Sequence, residues 1–346
     1  MFRDEIAVTL NRKRFKYWTE IRITRGIDAI DTIELKAPFD PYDEDQKSTF
    51  KPISFMPTSV TVNDEPEFTG TAILCAPDMS TDSSVVTLGA YSLPGVLGDC
   101  PAPASALPAE YKKQNLHDIA RVSVAPFDIT VLTRVDPGPV FDKVSREPGG
   151  EVLPFLIDLA QQRGQLIAST REGALLFWEA IEDGEAVAYL EQKKSPLLGV
   201  SATFDPSKYF SELTGLRPVR VRAKKSVQFT ARNTLLPNVL RPHVFEVDRA
   251  KDGDVETAVR GKMGRMFGNM VSYSVDVATW RDARGNLWEP NTMVSLLAPG
   301  AMIYKATKFL IRSIVLRKGP RSETATLSLV LPGSFSGKAP GALPWE

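Results

Sequence analysis

SVTVNDEPEFTGTAIL, residues 59–74, sets the reading of this chain. Val60 and Val62 alternate with polar residues, Asn63-Asp64 supplies a two-residue turn, and Phe68 opens a return strand. That pattern predicts a β-hairpin. Glu65 and Glu67 flank Pro66 beside the turn and read as hairpin-tip charges rather than as a working carboxylate pair. Outward from the hairpin the alternation continues. In RFKYWTEIRIT (14–24), Phe15, Tyr17, Thr19, Ile21 and Ile23 fall on one face, and DTIELKAP (31–38) repeats it with Ile33, Leu35 and Ala37. SVVTLGAY (84–91) adds a further short strand. So many short antiparallel strands within residues 1–100 predict a small barrel or sandwich.

The pattern changes after Cys100. PAPASALPAEYKK is a linker feeding a predicted helix, YKKQNLHDIARV (111–122), with Leu116, Ile119 and Ala120 at helical spacing. A second predicted helix, EVLPFLIDLAQQRG (151–164), buries Val152, Phe155, Leu156, Leu159 and Ala160; Pro154 is tolerated in its first turn and Gly164 suits its C-terminal cap. QLIAST and ALLFWEA form a hairpin, so residues 101–193 read as an α+β unit. From 194 to 335 strands return: VSATFD, RPVRVRA, HVFEVD, MVSYSVDVATW, NTMVSLLA, KFLIRSIVLR and TATLSLVL. One helix, DVETAVRGKMGRMFGN, interrupts them, with Asp254 as N-cap, Gly268 as stop, and Val255, Val259, Met263 and Met266 on its buried side. The stretch near 224–241 reads as an insertion, and 336–346 as a flexible Gly/Pro/Ser tail. The expected fold class is therefore mainly β, with two small antiparallel β-barrels flanking a middle α+β unit.

Composition narrows the function. The 346 residues carry 42 Lys+Arg against 42 Asp+Glu, so no bulk charge draws the chain to nucleic acid or an acidic membrane. The N-terminus, MFRDEIAVTLNRKRF, is charged where a signal peptide needs an apolar run, and no segment approaches the roughly 20 apolar residues of a membrane span. Cys75 and Cys100 are too few for a disulfide scaffold or structural zinc; two buried free thiols are expected, with a single bridge as the alternative, in a chain made in a reducing cytoplasm.

Catalytic motifs are missing from the sequence. His117 sits beside Asp118 on a helix, where neighbours do not face each other, and His243 opens a strand; both read as structural or surface residues. No nucleophile elbow, zincin, phosphate-loop or dinucleotide motif occurs. Asp248, Asp252, Asp254 and Glu256 invite a calcium reading but lack the EF-hand order, and a solvated loop ahead of a helix is the plainer one. No cofactor, metal or catalytic residue is expected.

The remaining candidate is WRDARGNLWEPNTMVSLLAP (280–299), where Trp280 and Trp288 flank a turn in which Gly285-Asn286 can adopt positive φ. Two rings near polar groups could form a glycan or cell-wall platform; a pair that fixes the register of a hairpin is favoured.

Taken together, the order of these segments resembles the baseplate hub proteins of contractile phage tails, the Mu-type hub and late-control-protein-D group, and is similar to the N-terminal part of type VI secretion spike proteins. The likeness rests on SVTVNDEPEFTGTA, on GAYSLPGVLGDCPAP with Ser92, Asp99 and Cys100 at matching places, on NLHDIARVSVAPFDI and PGGEVLPFLIDLAQQRGQLIASTREGALLF, and on the run from VETAVRGKMG to TATLSLVLPGSF. It covers most of residues 5–335, each motif being weak alone and the collinear order carrying the weight. The resemblance implies a structural, non-enzymatic homotrimer whose two tube-like barrels per chain give six around a ring. Such a ring adapts a hexameric tail tube to a trimeric central spike. It also implies contacts with baseplate wedge proteins and the tape measure protein, and a channel through which DNA passes. It places the chain in the virion tail baseplate, assembled in the host cytoplasm, and gives Asp99, Gly285, Asn286 and Trp288 a structural or assembly role.

Overall fold

The computed structural model describes residues 4–81, 83–106, 110–217, 227–236, 238–247, 252–335 and 343–346. The first β region opens with β1 (Ile6–Leu10) and β2 (Lys13–Phe15), joined through Asn11 and Arg12. Next come β3 (Glu20–Gly26), β4 (Thr32–Pro38) and a short helix α1 (Glu44–Thr49), whose N-cap Asp43 accepts from the N–H groups of Asp45 and Gln46. The expected hairpin is present as β5 (Met56–Val62) and β6 (Glu65–Met79), with Asn63 and Asp64 at φ 51° and 67°. β7 (Ser84–Ser92) pairs with both β6 and β4. Ile21, Ile23, Ile33, Leu35 and Ala37 are buried as their alternation requires. The predicted face does not extend back through residue 17: the chain leaves the sheet between β2 and β3, and Tyr17 is 74% exposed.

The middle region begins with α2 (Val96–Asp99) and continues with β8 (Glu110–Gln114), α3 (Leu116–Val124), β9 (Val131–Thr133), β10 (Phe141–Ser145), α4 (Val152–Gln161), β11 (Leu166–Ser169) and β12 (Leu175–Trp178). Residues 111–114, read as helix from sequence, are the strand β8, paired with β10. Asn115 is the reason: its side chain accepts from the Asp118 N–H and starts α3 there. β11 and β12 form the expected hairpin, with β9 parallel to β12. Leu116, Ile119, Val152, Leu156, Leu159 and Phe177 meet in one core between the helices and this sheet.

The last region holds β13 (Ala186–Glu191), β14 (Leu197–Phe204), β15 (Glu212–Arg217), β16 (Val227–Arg232), β17 (Pro242–Glu246), α5 (Asp252–Met270), β18 (Val271–Val277), β19 (Met293–Ala298), β20 (Ile303–Lys318) and β21 (Glu323–Val330). α5 packs Val255 and Val259 on the small sheet β16-β15-β17. Gly215 permits that approach, since a Cβ there would meet Val259 at 2.5 Å. The helix runs through Gly268 to Met270 rather than stopping at the glycine. Residues 218–223 of the predicted strand 217–223, parts of the 224–241 insertion, Asp248 and most of the 336–346 tail lie outside the described residues. α5 begins at Asp252, so Asp254, expected as the N-cap, stands inside the helix.

The two β regions are not separate closed barrels. They form one 13-stranded sheet whose main path runs β14-β18-β21-β20-β3-β4-β7-β6-β5-β1-β2, and this path does not close on itself. β20 is the reason. At 16 residues it pairs β19 with its first half, then passes an irregularity at Ile311/Ser313, and with its second half pairs β21 on one side and β3 on the other. A single core cluster accordingly spans Val8, Ile21 and Val60 from the first region and Val275, Ile314 and Leu327 from the last.

Candidate functional site

The turn 280–290 is built from inside outward. The Trp288 N–H donates to the Trp280 carbonyl at 2.9 Å, and Arg281 and Leu287 form an isolated antiparallel bridge. Asp282 Oδ1 accepts from the N–H groups of Arg284 (2.8 Å) and Asn286 (2.9 Å), a side-chain substitute for turn hydrogen bonds. Gly285 takes φ +86°, while exposed Asn286 does not share the positive φ expected of it. The rings are 0% and 1% exposed at Trp280 and Trp288. Trp280 Nε1 donates to the carbonyls of Arg317 (3.1 Å) and Thr324 (3.0 Å), and Trp288 Nε1 to that of Thr279 (3.0 Å). A sugar platform needs accessible ring faces, so the glycan reading fails on burial. The pair also does not register two neighbouring strands, because β18 pairs with β14 and β21 whereas β19 pairs with β13 and β20. It anchors a connection between strands that lie apart in the sheet.

From this anchored turn polar side chains reach the rest of the molecule. Arg281 Nη2 and Nε meet Asp4 Oδ1 at 2.6 and 3.0 Å, and its Nη1 donates to the Gly285 carbonyl at 2.7 Å. Asp4 also accepts from Asn63 Nδ2 at 2.7 Å, so the tip of the β5–β6 hairpin joins the same contact. Asn291 Nδ2 donates to the Glu179 carbonyl, and Asn291 Oδ1 accepts from the Ile181 N–H. Glu289 pairs with Arg171 on the β11–β12 turn.

Arg171 leads into a buried charge cluster that the sequence reading missed. Glu67 is fully buried, with Arg25 Nη1 at 3.4 Å and Arg171 Nε at 3.2 Å. Arg25 Nε also meets Asp31 Oδ2 at 3.1 Å, while the Asp31 N–H donates to Ser169 Oγ at 2.8 Å. Glu67 was expected at a solvated hairpin tip. The β5–β6 ladder slips there, Val60 facing Phe68 and Thr61 facing Pro66, and the extra residue is Glu67, turned inward. Burial raises the Asp31 carboxyl to about 6, against the opposing pull of Arg25, and burial likewise raises Glu67. Burial works against the Arg25 charge, but Asp31 and Glu67 outweigh it and its pKa is raised. The cluster joins β3 and β6 of the first region, the middle-region turn and, through Glu289, the segment leading into β19.

The four signature residues do not converge. Gly285, Asn286 and Trp288 share the turn, whereas Asp99 ends α2 and bonds the Tyr91 phenol. Burial first, then the Asp99 charge and hydrogen bond, push Tyr91 up to about 12. Cys75 and Cys100 are both free and half-buried. His117 is buried, its Nε2 3.0 Å from Gln165 Oε1; Gln165 Nε2 donates to the Asp136 carbonyl, so its Oε1 accepts from the histidine. His243 stacks on Phe210 at 4.6 Å, and burial, then Lys262, lowers its pKa. Among the described residues neither histidine hydrogen-bonds a carboxylate or hydroxyl that could relay a proton. Among the described residues no group of three or more His, Cys, Asp or Glu is arranged to hold a metal, and no helix is long and apolar enough to cross a membrane.

Comparison with known proteins agrees with this architecture. Residues 94–179 match the family described as baseplate hub protein gp44-like, second domain. Over 251 residues the chain is 23% identical to the baseplate hub protein gp44 of Escherichia phage Mu, which covers 69% of this chain and spans 65% of that relative's length. In fold it is similar to the 43 kDa tail protein of prophage MuSo2 from Shewanella oneidensis (TM-score 0.81, 21% identity, 96% of this chain and 100% of that one). The tail protein of Neisseria meningitidis MC58 is similar too (TM-score 0.80, 18% identity, 96% and 98%). The E. coli c3393 protein, described as a component of the type VI secretion system, shares the fold at TM-score 0.61 and 9% identity, over 96% of this chain and 79% of that one. The chain is thus similar at residues 94–179 to the second domain of gp44-like baseplate hub proteins and, over most of its length, resembles the baseplate hub proteins of phage tails.

Proposed function

We propose that this chain is the structural hub subunit of a contractile phage or phage-derived tail, a homotrimer that adapts a hexameric tail tube to a trimeric central spike. The observation that carries the reading is the sheet itself. One chain contributes two β regions, close to the expected 1–100 and 194–335 but with β13 (Ala186–Glu191) joining the second through β19. They are welded through β20 and β3 around the middle unit, in the fold of phage tail proteins. Three copies then present six tube-like β units around a closed ring. The open sheet supports this: among the described residues its terminal strand β14 pairs with β18 alone and leaves Leu198 61% exposed, and an unpaired edge of that kind calls for a neighbour. In this reading the ring surrounds a channel for DNA, contacts wedge proteins and the tape measure protein, and acts by assembly rather than catalysis. Asp99, Gly285, Asn286 and Trp288 serve it by holding the units in place.

Mass measurement of the purified chain, alone and with its tube and spike partners, tests the proposal, with electron microscopy of the particles formed. A threefold ring of sixfold appearance is expected. A chain that stays monomeric at every concentration and binds neither tube nor spike sinks it.

A further inference from the structure

A cleft of about 720 Å³ opens between α4 of the middle region and α5 of the last, away from the joint at Glu67 and unused by the hub reading. Its size falls in the range of small-ligand sites. Three cations line it: Arg146, just after β10, and Lys262 and Arg265, one turn apart on α5. Arg146 is 6% exposed; its Nη1 donates to the Gly150 carbonyl at 3.2 Å, and its Nε is buried without an acceptor among the described residues. Arg265 Nη2 donates to Gln161 Oε1 at 3.2 Å, and Lys262 Nζ lies 3.8 Å from the centre of the Phe245 ring. None of the three makes an ion pair among the described residues. The carboxylates of the same cleft, Glu147, Glu151, Asp158 and Glu246, belong to exposed residues, where water screens their pull. Burial lowers the pKa of Lys262 and Arg265; the Arg265 charge adds to the effect on Lys262, and Asp28 only partly opposes it on Arg265.

Cations withdrawn from water without a counter-charge are costly, and proteins place them together where an anion completes the site. We propose that this cleft binds an oxyanion, a phosphate or carboxylate group held by Arg146, Lys262 and Arg265. The arginines supply forked donors and Lys262 a point charge against the Phe245 wall. The same group can arrive as a free anion or as an acidic side chain of another polypeptide.

The full chain is titrated calorimetrically with inorganic phosphate and, separately, with a seven-residue glutamate peptide, at constant ionic strength against sodium chloride. Saturable binding of at least one probe is expected, weakened by about tenfold or more in Lys262→Met and in Arg265→Met. Binding of phosphate identifies a free anion as the source; binding of the peptide alone identifies an acidic chain. No saturable binding of either probe, or binding unchanged in both variants, overturns the proposal. Circular dichroism checks the fold, and half-buried Lys262 carries the test if Arg265→Met does not fold.

Discussion

Arg281 grips Asp4 across 277 positions of sequence, with Nη2 at 2.6 Å and Nε at 3.0 Å from the same carboxylate oxygen. Asp4 is 8% exposed, so this pair is more shielded than an ordinary surface bridge. It ties the start of the first β region to a turn whose two tryptophans are sunk in the core. Arg281→Met is expected to cost about 2 kcal/mol, because Asp4 keeps its burial and loses a two-point charged partner. Urea unfolding followed by tryptophan fluorescence reads this directly, and a midpoint equal to wild type would refute it.

Trp288→Ala removes a ring that is 1% exposed and the hydrogen bond from its indole to the Thr279 carbonyl. A loss of about 3–5 kcal/mol is expected, together with weaker assembly of the trimer proposed above. Wild-type fluorescence should show no saccharide-dependent quenching. A stable variant with intact assembly would contradict the packing role.

At Gly285 the backbone has φ +86°, yet a Cβ would meet nothing within 4 Å. Gly285→Ala therefore carries only the left-handed backbone penalty, about 1–2 kcal/mol. A loss as large as that of Trp288→Ala in the same denaturation experiment would mean that the turn is packed against something.

Glu67→Ala leaves Arg25 and Arg171 facing a void in the interior, and a loss of about 3–5 kcal/mol is expected. In a double-mutant cycle with Arg171→Met the two changes should be less than additive, since each breaks the same pair at 3.2 Å. Strict additivity would show that the pair is not coupled.

Asp31 gives the joint a pH dependence. Its folded carboxyl, at about 6, lies above the ordinary 3.8, so the folded state holds a proton that the unfolded chain has released. That contribution to stability is complete below about pH 4 and is lost as pH rises through 6. Compared with Asp31→Asn, the wild type should lose on the order of 3 kcal/mol between pH 4 and 7, from about 1.4 kcal/mol per unit. Denaturation midpoints of the two proteins over that range measure it, and parallel curves would rule it out.

What the residues alone determined was local. Alternation in 31–38, 84–91 and 324–331, the Asn63-Asp64 turn and the Leu116 and Val152 helices each depend on neighbours within a few positions. Sequence carries that information in its period. The collinear order of those pieces was enough to suggest the hub likeness. Tertiary structure decided the rest, because it depends on partners far along the chain. That β20 would pair with β3, and so weld two expected barrels into one open sheet, is fixed by contacts between residues 313–318 and 21–26. That Glu67 would turn inward depends on a one-residue slip against β5, and a slip of one reverses the face of a side chain. The same holds for Arg281, whose place in a polar turn carries no sign of the Asp4 carboxylate it meets from 277 positions away.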